Sequence, residues 1–342
     1  MTTITRAIRD GGWVVICAAV IFAALVTWAL APAVLKMASR PPGDGATLSS
    51  YKFDLSNLRL PPTAILETAM LHRDMVPVLD APPSIMEAND VLAKVTTRNR
   101  YLVSDDAVIG VTINGHTRAY PLSILHVHEI IHDELGGVPI AVTWHWPSAS
   151  PRVFDRRIDG DTRMFGVSGL VAGGNQTIYV RRSDGQVGGE ALISQLLGRS
   201  ITGPPMEIDT LPFRFTDWAT WQREHPGTTV AGGLPAMKKR YKHGDPAAYY
   251  MASGLIFDTP VPAGSPPAKA AMVLLESDRN GRLLLSEQEV DAGIDGLDIA
   301  RLGLSAAPKP PRIEVASPPR ETDIRHALFH AMHALGLDTD NR

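Results

Sequence analysis

Apolar residues follow three patterns along this chain: one unbroken run near the start, period-two alternation through the middle, and a few stretches with helical spacing. Trp13 to Leu35 contains no charged residue. As a helix it would span ~34 Å at 1.5 Å per residue, which matches a bilayer core. Arg40 to Ser50 (R-P-P-G-D-G-A-T-L-S-S) then forms a polar linker, and the proline-interrupted stretch from Tyr51 to about Pro83 predicts extended segments wrapping a domain. Residues 107–120, A-V-I-G-V-T-I-N-G-H-T-R-A-Y, alternate about Asn114-Gly115, a pair suited to a two-residue hairpin turn. A second hairpin, residues 153–167, turns at Asp159-Gly160. Thr177 to Val180 reads as a further strand, Gly173-Gly174-Asn175 as a turn, and Gly189 to Leu197 as a short helix ended by Gly198. Thr216 or Asp217 can cap a helix that places Trp218 and Trp221 on one core-facing side.

The stretch from Ser123 to Trp146 gathers four of the eleven histidines. A helix capped by Ser123 and running to Leu135 would align Ile124, Val127, Ile131 and Leu135 on one face, with His128 beside them and His132 at the edge. His126, Glu129 and Asp133 would point the other way. Gly136-Gly137 would stop that helix, and the apolar run Val138 to Trp144 would be a buried strand delivering His145.

Beyond the linker Pro262 to Pro267, A-M-V-L-L-E-S-D-R-N-G-R-L-L-L-S-E-Q-E-V admits two readings. As a calcium loop, Glu276, Asp278, Asn280 and Glu287 fall at ligand positions, with glutamate a poor first ligand. As a hairpin, the preferred reading, Ala271 to Glu276 and Arg282 to Leu285 pair about Asn280-Gly281. A proline-rich arm, Ser305 to Pro319, leads to an amphipathic helix from Asp323 to Leu335. Its apolar stripe is Ile324, Leu328, Ala331 and Leu335, with His326, His330 and His333 as a solvated polar edge.

The pattern therefore predicts an α+β, sheet-rich domain of mainly antiparallel hairpins and a few helices, preceded by one transmembrane helix. The expected segments are a cytoplasmic tail (1–12), an anchor (13–35), a linker (36–50), a main domain (51–262), a hairpin or EF-hand-like segment (263–304), and the terminal arm and helix (305–342).

Composition narrows the functional classes. With 342 residues and a net charge of -3, the chain has ample core and no basic excess for nucleic acid. The apolar run could instead be a cleaved signal, since Ala29-Leu30-Ala31 mimics a cleavage site. The run continues past that site, however, and Pro32 would become the first mature residue, so a retained anchor is expected. Arg6 and Arg9 before the span and Lys36, Arg40 and Lys52 after it leave orientation undecided by charge. The only cysteine, Cys17, lies inside the span, so the domain carries no thiol, which fits an oxidising, extracytoplasmic compartment.

Several segments together carry a resemblance. F-D-L-S-N-L (53–58), R-D-x-x-P-x-L-D-x-P (73–82), V-I-G-V-x-I-N-G-x-x-R-A-Y-P-L-x-I-L (108–125), H-E-I-I-x-D, G-G-x-P-I-A-V-T, F-D-R-R-x-D-G, F-G-V-S-G-L and G-D-P-x-x-Y-Y occur in this order. The chain thereby resembles the bacterial domain-of-unknown-function family numbered 3179, from about Phe53 to Pro260. That resemblance implies H-E-x-x-N-D in place of the helix motif here and a C-P-L-C-G segment after it. His128 and Glu129 match, whereas His132 stands at the asparagine position, and His145 and Ser148 stand at the two cysteine positions. No reaction is implied.

Three readings of the histidines follow. His128-Glu129-x-x-His132 matches the zinc-peptidase motif, with Glu129 as general base, but it lacks the longer zincin continuation. A metal-binding module could gather His128, His132 and His145 around zinc or copper. Alternatively these are hydrogen-bonded structural histidines. Gly166 to Leu170 lacks the second glycine of a nucleophile elbow. The expected role is a non-catalytic accessory or assembly subunit of a membrane complex, contacting the bilayer through residues 13–35 and further membrane proteins, with the metal module and the zinc hydrolase as alternatives.

Overall fold

Tight turns of left-handed backbone organise most of the sheet structure. A computed structural model describes residues 13–38, 41–93, 102–243, 246–277, 281–293, 304–306, 313–315 and 322–338. The expected tail, 1–12, lies outside the described residues. The chain divides into two units, Met1–Pro42 and Gly43–Arg342.

In the first unit, helix α1 (Trp13–Ala38) has exposed side chains from Trp13 through Leu30. Its window Trp13–Ala31 is long and apolar enough to cross a membrane, and none of it is buried. Thr27 returns its hydroxyl to the Ala23 carbonyl at 2.8 Å, which masks a polar group in the run.

The second unit is built on sheets. One five-stranded sheet has the order β1 (Leu66–Thr68), β10 (Phe165–Ala172), β11 (Asn175–Val180), β12 (Leu192–Ser194), β13 (Arg199–Ser200). Another runs β14 (Arg214–Asp217), β3 (Ala107–Ile113), β4 (His116–Pro121), β15 (Thr229–Ala231), β2 (Ile85–Glu87). Between them lies a three-stranded sheet, β5 (Ile130–Leu135), β6 (Val138–His145), β7 (Ser150–Asp155). A third group orders β17 (Gly281–Ser286), β16 (Ala271–Ser277) and β20 (Asp323–Leu328). Two small ribbons pair β8 (Arg157–Ile158) with β9 (Asp161–Thr162), and β18 (Leu304–Ala306) with β19 (Ile313–Val315). The helices are α2 (Ala88–Ala93), α3 (Leu122–His128), α4 (Trp218–Glu224), α5 (Lys238–His243), α6 (Ala247–Met251), α7 (Glu287–Ala292) and α8 (Phe329–Ala334).

The middle sheet is covered on both faces. Ile131, Val142, Trp144 and Val153 pack with Ile109, Val111, Tyr120 and Phe215 on one side. Ile130, Ala141 and Phe154 pack with Phe165, Val167, Ile178 and Ile193 on the other. This double burial explains why residues 138–144 read as continuous apolar sequence.

Both expected turns, Asn114-Gly115 and Asp159-Gly160, form with positive φ at all four residues, but the second hairpin shrinks from 153–167 to the ribbon β8–β9, because β7 pairs with β6 and β10 with β11. Asp217 caps α4 by accepting from the Thr220 N–H at 2.8 Å. The two tryptophans sit in the core against Val108, Ala119 and Val230. A Cβ on Gly110 would lie 2.3 Å from the Trp221 ring, so β3 needs glycine there.

Three expectations are corrected. The helix from Ser123 to Leu135 is instead α3, which ends at His128, and β5; Pro121, not Ser123, occupies the cap position. Glu129 takes φ 56, its N–H closing on Leu125 O, and breaks the helix. Ile131 and Leu135 fit a two-residue alternation as well as a helical one, and pairing with β6 decides between them. Gly136-Gly137, both at positive φ, turn the β5–β6 hairpin. Gly189–Leu197 is not a helix: β12 pairs there with β11 and β13. The terminal helix from Asp323 is instead β20, added antiparallel to β16, followed by the short α8. His326 and His330 are consequently buried rather than solvated. Ala271–Ser277 and Gly281–Ser286 pair antiparallel as β16 and β17, in line with the hairpin reading.

Candidate functional site

The apolar strands that cover the middle sheet are interrupted by polar side chains, and these meet inside the protein. From β6 and the turn after it come Thr143, His145 and Ser148; from β7, Ser150; from β11, Asn175 and Gln176; from β12 onward, Gln195. All are buried. Asn175 Nδ2 donates to Ser148 Oγ at 2.9 Å, Ser150 Oγ at 2.8 Å and Gln195 Oε1 at 3.1 Å. Its Oδ1 accepts from the Leu196 N–H at 3.0 Å. Gln195 Nε2 donates to Thr143 Oγ1 and to the Ser150 carbonyl, each at 2.9 Å, while Ser150 Oγ donates to Gln195 Oε1 at 2.9 Å. Ser148 Oγ accepts from Asn175 and lies 2.7 Å from His145 Nδ1 and 3.0 Å from Ser150 Oγ, the His145 tautomer setting which way the first of these bonds runs. Burial first, and the neighbouring His330 second, push the His145 pKa down to about 3, so the ring is neutral.

A serine hydroxyl on an imidazole is the pairing that activates a nucleophile. Ser148 has no exposed surface, however, and every neighbour it touches is a partner from this network. In this arrangement the pair ties β6 to β7 and to β11. A buried hydrogen-bond network of this kind fixes the alignment of two sheets, and among its side chains Gln176 Oε1 is the one buried atom without a partner.

The other expected site residues go elsewhere. His128 Nδ1 donates to Pro77 O at 2.6 Å, which leaves Nε2 to accept from the Tyr241 hydroxyl at 2.8 Å. Tyr241 in turn accepts from the Leu234 N–H at 2.8 Å. His132 Nε2 accepts from the Phe165 N–H at 3.0 Å, so Nδ1 donates to Asp80 Oδ1 at 3.1 Å. Burial lowers the pKa of both rings. His132 pairs with Ala141 across the β5–β6 ladder, and His145 lies four residues further along β6. That separation is about 13 Å along the sheet, whereas one ion needs its ligand atoms within about 4 Å of each other. The structure therefore does not bring His128, His132 and His145 to one point. His128 and His132 also do not share a helical face, as the zinc-peptidase motif requires. Among the described residues, no three His, Cys, Asp or Glu side chains are grouped to hold a metal ion.

Glu129, the expected general base, is 3% exposed. Burial raises its pKa to about 8, so it is an uncharged acid at neutral pH. Gln176 Nε2 donates to its Oε2 at 2.5 Å, a bond available to either protonation state. For the calcium reading, Glu276 Oε1 accepts from Arg282 Nε at 2.5 Å and its other oxygen pairs with Arg325. Glu287 opens α7, and Asp278 and Asn280 lie outside the described residues.

Of these polar residues, Ser150, Gln176 and Gln195 carry no expectation from sequence, Asn175 was expected only in a turn and His330 only on a solvated edge. The available signal was a polar residue inside an otherwise apolar strand, as in V-P-I-A-V-T-W and N-Q-T-I-Y-V.

The family model described as "Protein of unknown function (DUF3179)" matches residues 74–293, nearly two thirds of the chain. No curated protein and no solved structure matches. The matched span takes in the middle sheet, the two sheets that cover it apart from edge strand β1, and the polar layer within, and on that evidence the chain belongs to the DUF3179 family.

Proposed function

We propose that this chain is a single-pass protein of the inner membrane that holds its sheet-rich domain on the extracytoplasmic side, as a non-catalytic accessory or assembly subunit of a membrane complex. The observation that carries this reading is α1: nineteen residues, Trp13–Ala31, with no charged side chain and with none of that window buried. In water such a surface would be strongly unfavourable, whereas in lipid it needs no further cover. The single thiol, Cys17, belongs to that helix, which leaves a thiol-free domain suited to an oxidising compartment. The non-catalytic part is supported by how the chemical groups are used. Ser148 is sealed, Glu129 is a neutral acid, and His128, His132 and His145 are each held by a different set of partners.

The test is purification from native membranes in mild detergent, with protease added to intact spheroplasts as a topology control. The proposal expects one or more membrane proteins to co-purify stoichiometrically and the domain to be digested from outside. A chain that purifies alone, or one protected in spheroplasts, contradicts it.

A further inference from the structure

Between Leu234 and Met251 the chain reads L-P-A-M-K-K-R-Y-K-H-G-D-P-A-A-Y-Y-M, with four Lys or Arg and one histidine against the single acid Asp245. The whole chain carries a charge of -3, so this is a local reversal of sign. Lys238, Lys239, Arg240 and Lys242 of α5 are all exposed. Tyr241, in their midst, turns inward: it packs on the main core cluster, donates to His128 and accepts from Leu234. One aromatic side chain thus fixes a basic turn to the domain.

The next element is held to the same cluster. Tyr249 donates to Pro147 O at 3.0 Å and lies edge-on to Trp146, and Tyr250 donates to Trp146 O at 2.6 Å. Yet Met251, at the end of α6, is 83% exposed, and Ile256 just beyond it is 50% exposed. Exposed cations on α5, followed along the chain by the exposed apolar side chains of Met251 and Ile256, suit a surface that is anionic outside and apolar beneath.

We propose that α5, together with Met251, docks the domain on an anionic phospholipid surface. The proposal rests on the tether reading above. Ala38, the end of α1, and Gly43, the start of the domain unit, are five residues apart, a reach of at most about 18 Å. The domain is thereby kept at the bilayer, and local charge selects the face that touches it. Each Lys or Arg near an anionic membrane favours the docked state by about fivefold, so three of them give about a hundredfold.

The experiment uses the full chain with Cys17→Ser and Met251→Cys, labelled at residue 251 with an environment-sensitive nitrobenzoxadiazole dye. It is reconstituted into vesicles of phosphatidylcholine alone or of phosphatidylcholine mixed with phosphatidylglycerol. A blue shift and brighter emission are expected only in the mixed vesicles, reversed by high salt. A Lys239→Glu/Arg240→Glu/Lys242→Glu variant should lose the shift, its docking equilibrium constant falling by at least about a hundredfold, with unchanged tryptophan emission as the fold control. Identical spectra in both vesicle types, or an undiminished shift in the charge-reversed variant, overturn the proposal; an unmoved dye assigns the patch to an acidic protein surface instead. Alkaline carbonate extraction of the same vesicles reports the tether separately. A chain that is stripped yet shows the salt-sensitive shift keeps the docking and loses the tether. A chain that resists stripping with an unmoved dye keeps the tether and loses the docking.

Discussion

Replacing Glu129 with glutamine tests the polar interior where its electrostatics are most exposed to measurement. The carboxyl lies within the protein with a pKa of about 8, against an ordinary 4.5. Between those two values the folded chain keeps a proton that the unfolded chain releases, so wild-type stability must fall as pH rises through that window. At about 1.4 kcal/mol per pH unit, the full fall attributable to this one group is about 5 kcal/mol. Glutamine is neutral at every pH and retains an oxygen for Gln176, so Glu129→Gln removes the slope without removing the acceptor. Urea unfolding of the full chain in detergent micelles, followed by tryptophan fluorescence, to which buried Trp144 contributes from beside Glu129, its backbone N–H donating to the Glu129 carbonyl at 2.8 Å, gives the stability of each form. The advantage of the variant should be near zero at pH 4.5 and grow to about 5 kcal/mol by pH 8, then remain level. A difference independent of pH would refute the assignment of Glu129 as a buried neutral acid.

The buried histidines act in the opposite direction. Burial lowers His145 and His326 to about 3 and His330 to about 4, so they stay neutral in the fold while the unfolded chain protonates them below about 6.5. Stability conferred above that pH is lost as pH falls, and acid titration should unfold the domain between about pH 6 and 4, with His326→Phe shifting the midpoint downward. Gly110→Ala should destabilise by about 1–3 kcal/mol or more, since the new methyl would overlap the Trp221 ring; a neutral effect by thermal unfolding would contradict the packing of α4 on β3. Elemental analysis of the purified chain should find zinc and copper well below one per chain. Stoichiometric metal that is lost in His128→Ala or His145→Ala would restore the metal-module reading.

Local chemistry was legible in the sequence. Asn114-Gly115, Asp159-Gly160 and Gly173-Gly174 each supply the positive φ that a tight turn needs, and the hairpins follow from residues only two positions apart. The apolar run of α1 and the cap at Asp217 are equally local. Failures arose where a distant partner decides the local state. Ile131 and Leu135 satisfy both periods, and pairing with β6 selects the strand. Asp323 to Leu328 is claimed by β16, about fifty residues earlier, which draws His326 between Phe213 and Phe215. The polar layer was hidden for the same reason: Asn175 reaches Ser148 and Ser150 across 27 and 25 residues, and no short motif announces that contact. The H-E-x-x-H spacing implied a shared helical face, and the left-handed turn at Glu129 removed the geometry that gives the motif its meaning.

Cys17 offers the most direct test of the membrane tether. It is the only thiol in the chain and lies within the apolar window of α1, four residues or about 6 Å inside its start at Trp13, and so beneath the headgroups if that helix spans lipid. In sealed native membranes a charged, membrane-impermeant maleimide should fail to label it, and labelling should go to completion once the membrane is dissolved in sodium dodecyl sulfate. Full labelling in intact membranes, at the rate of a free thiol in water, would contradict the account.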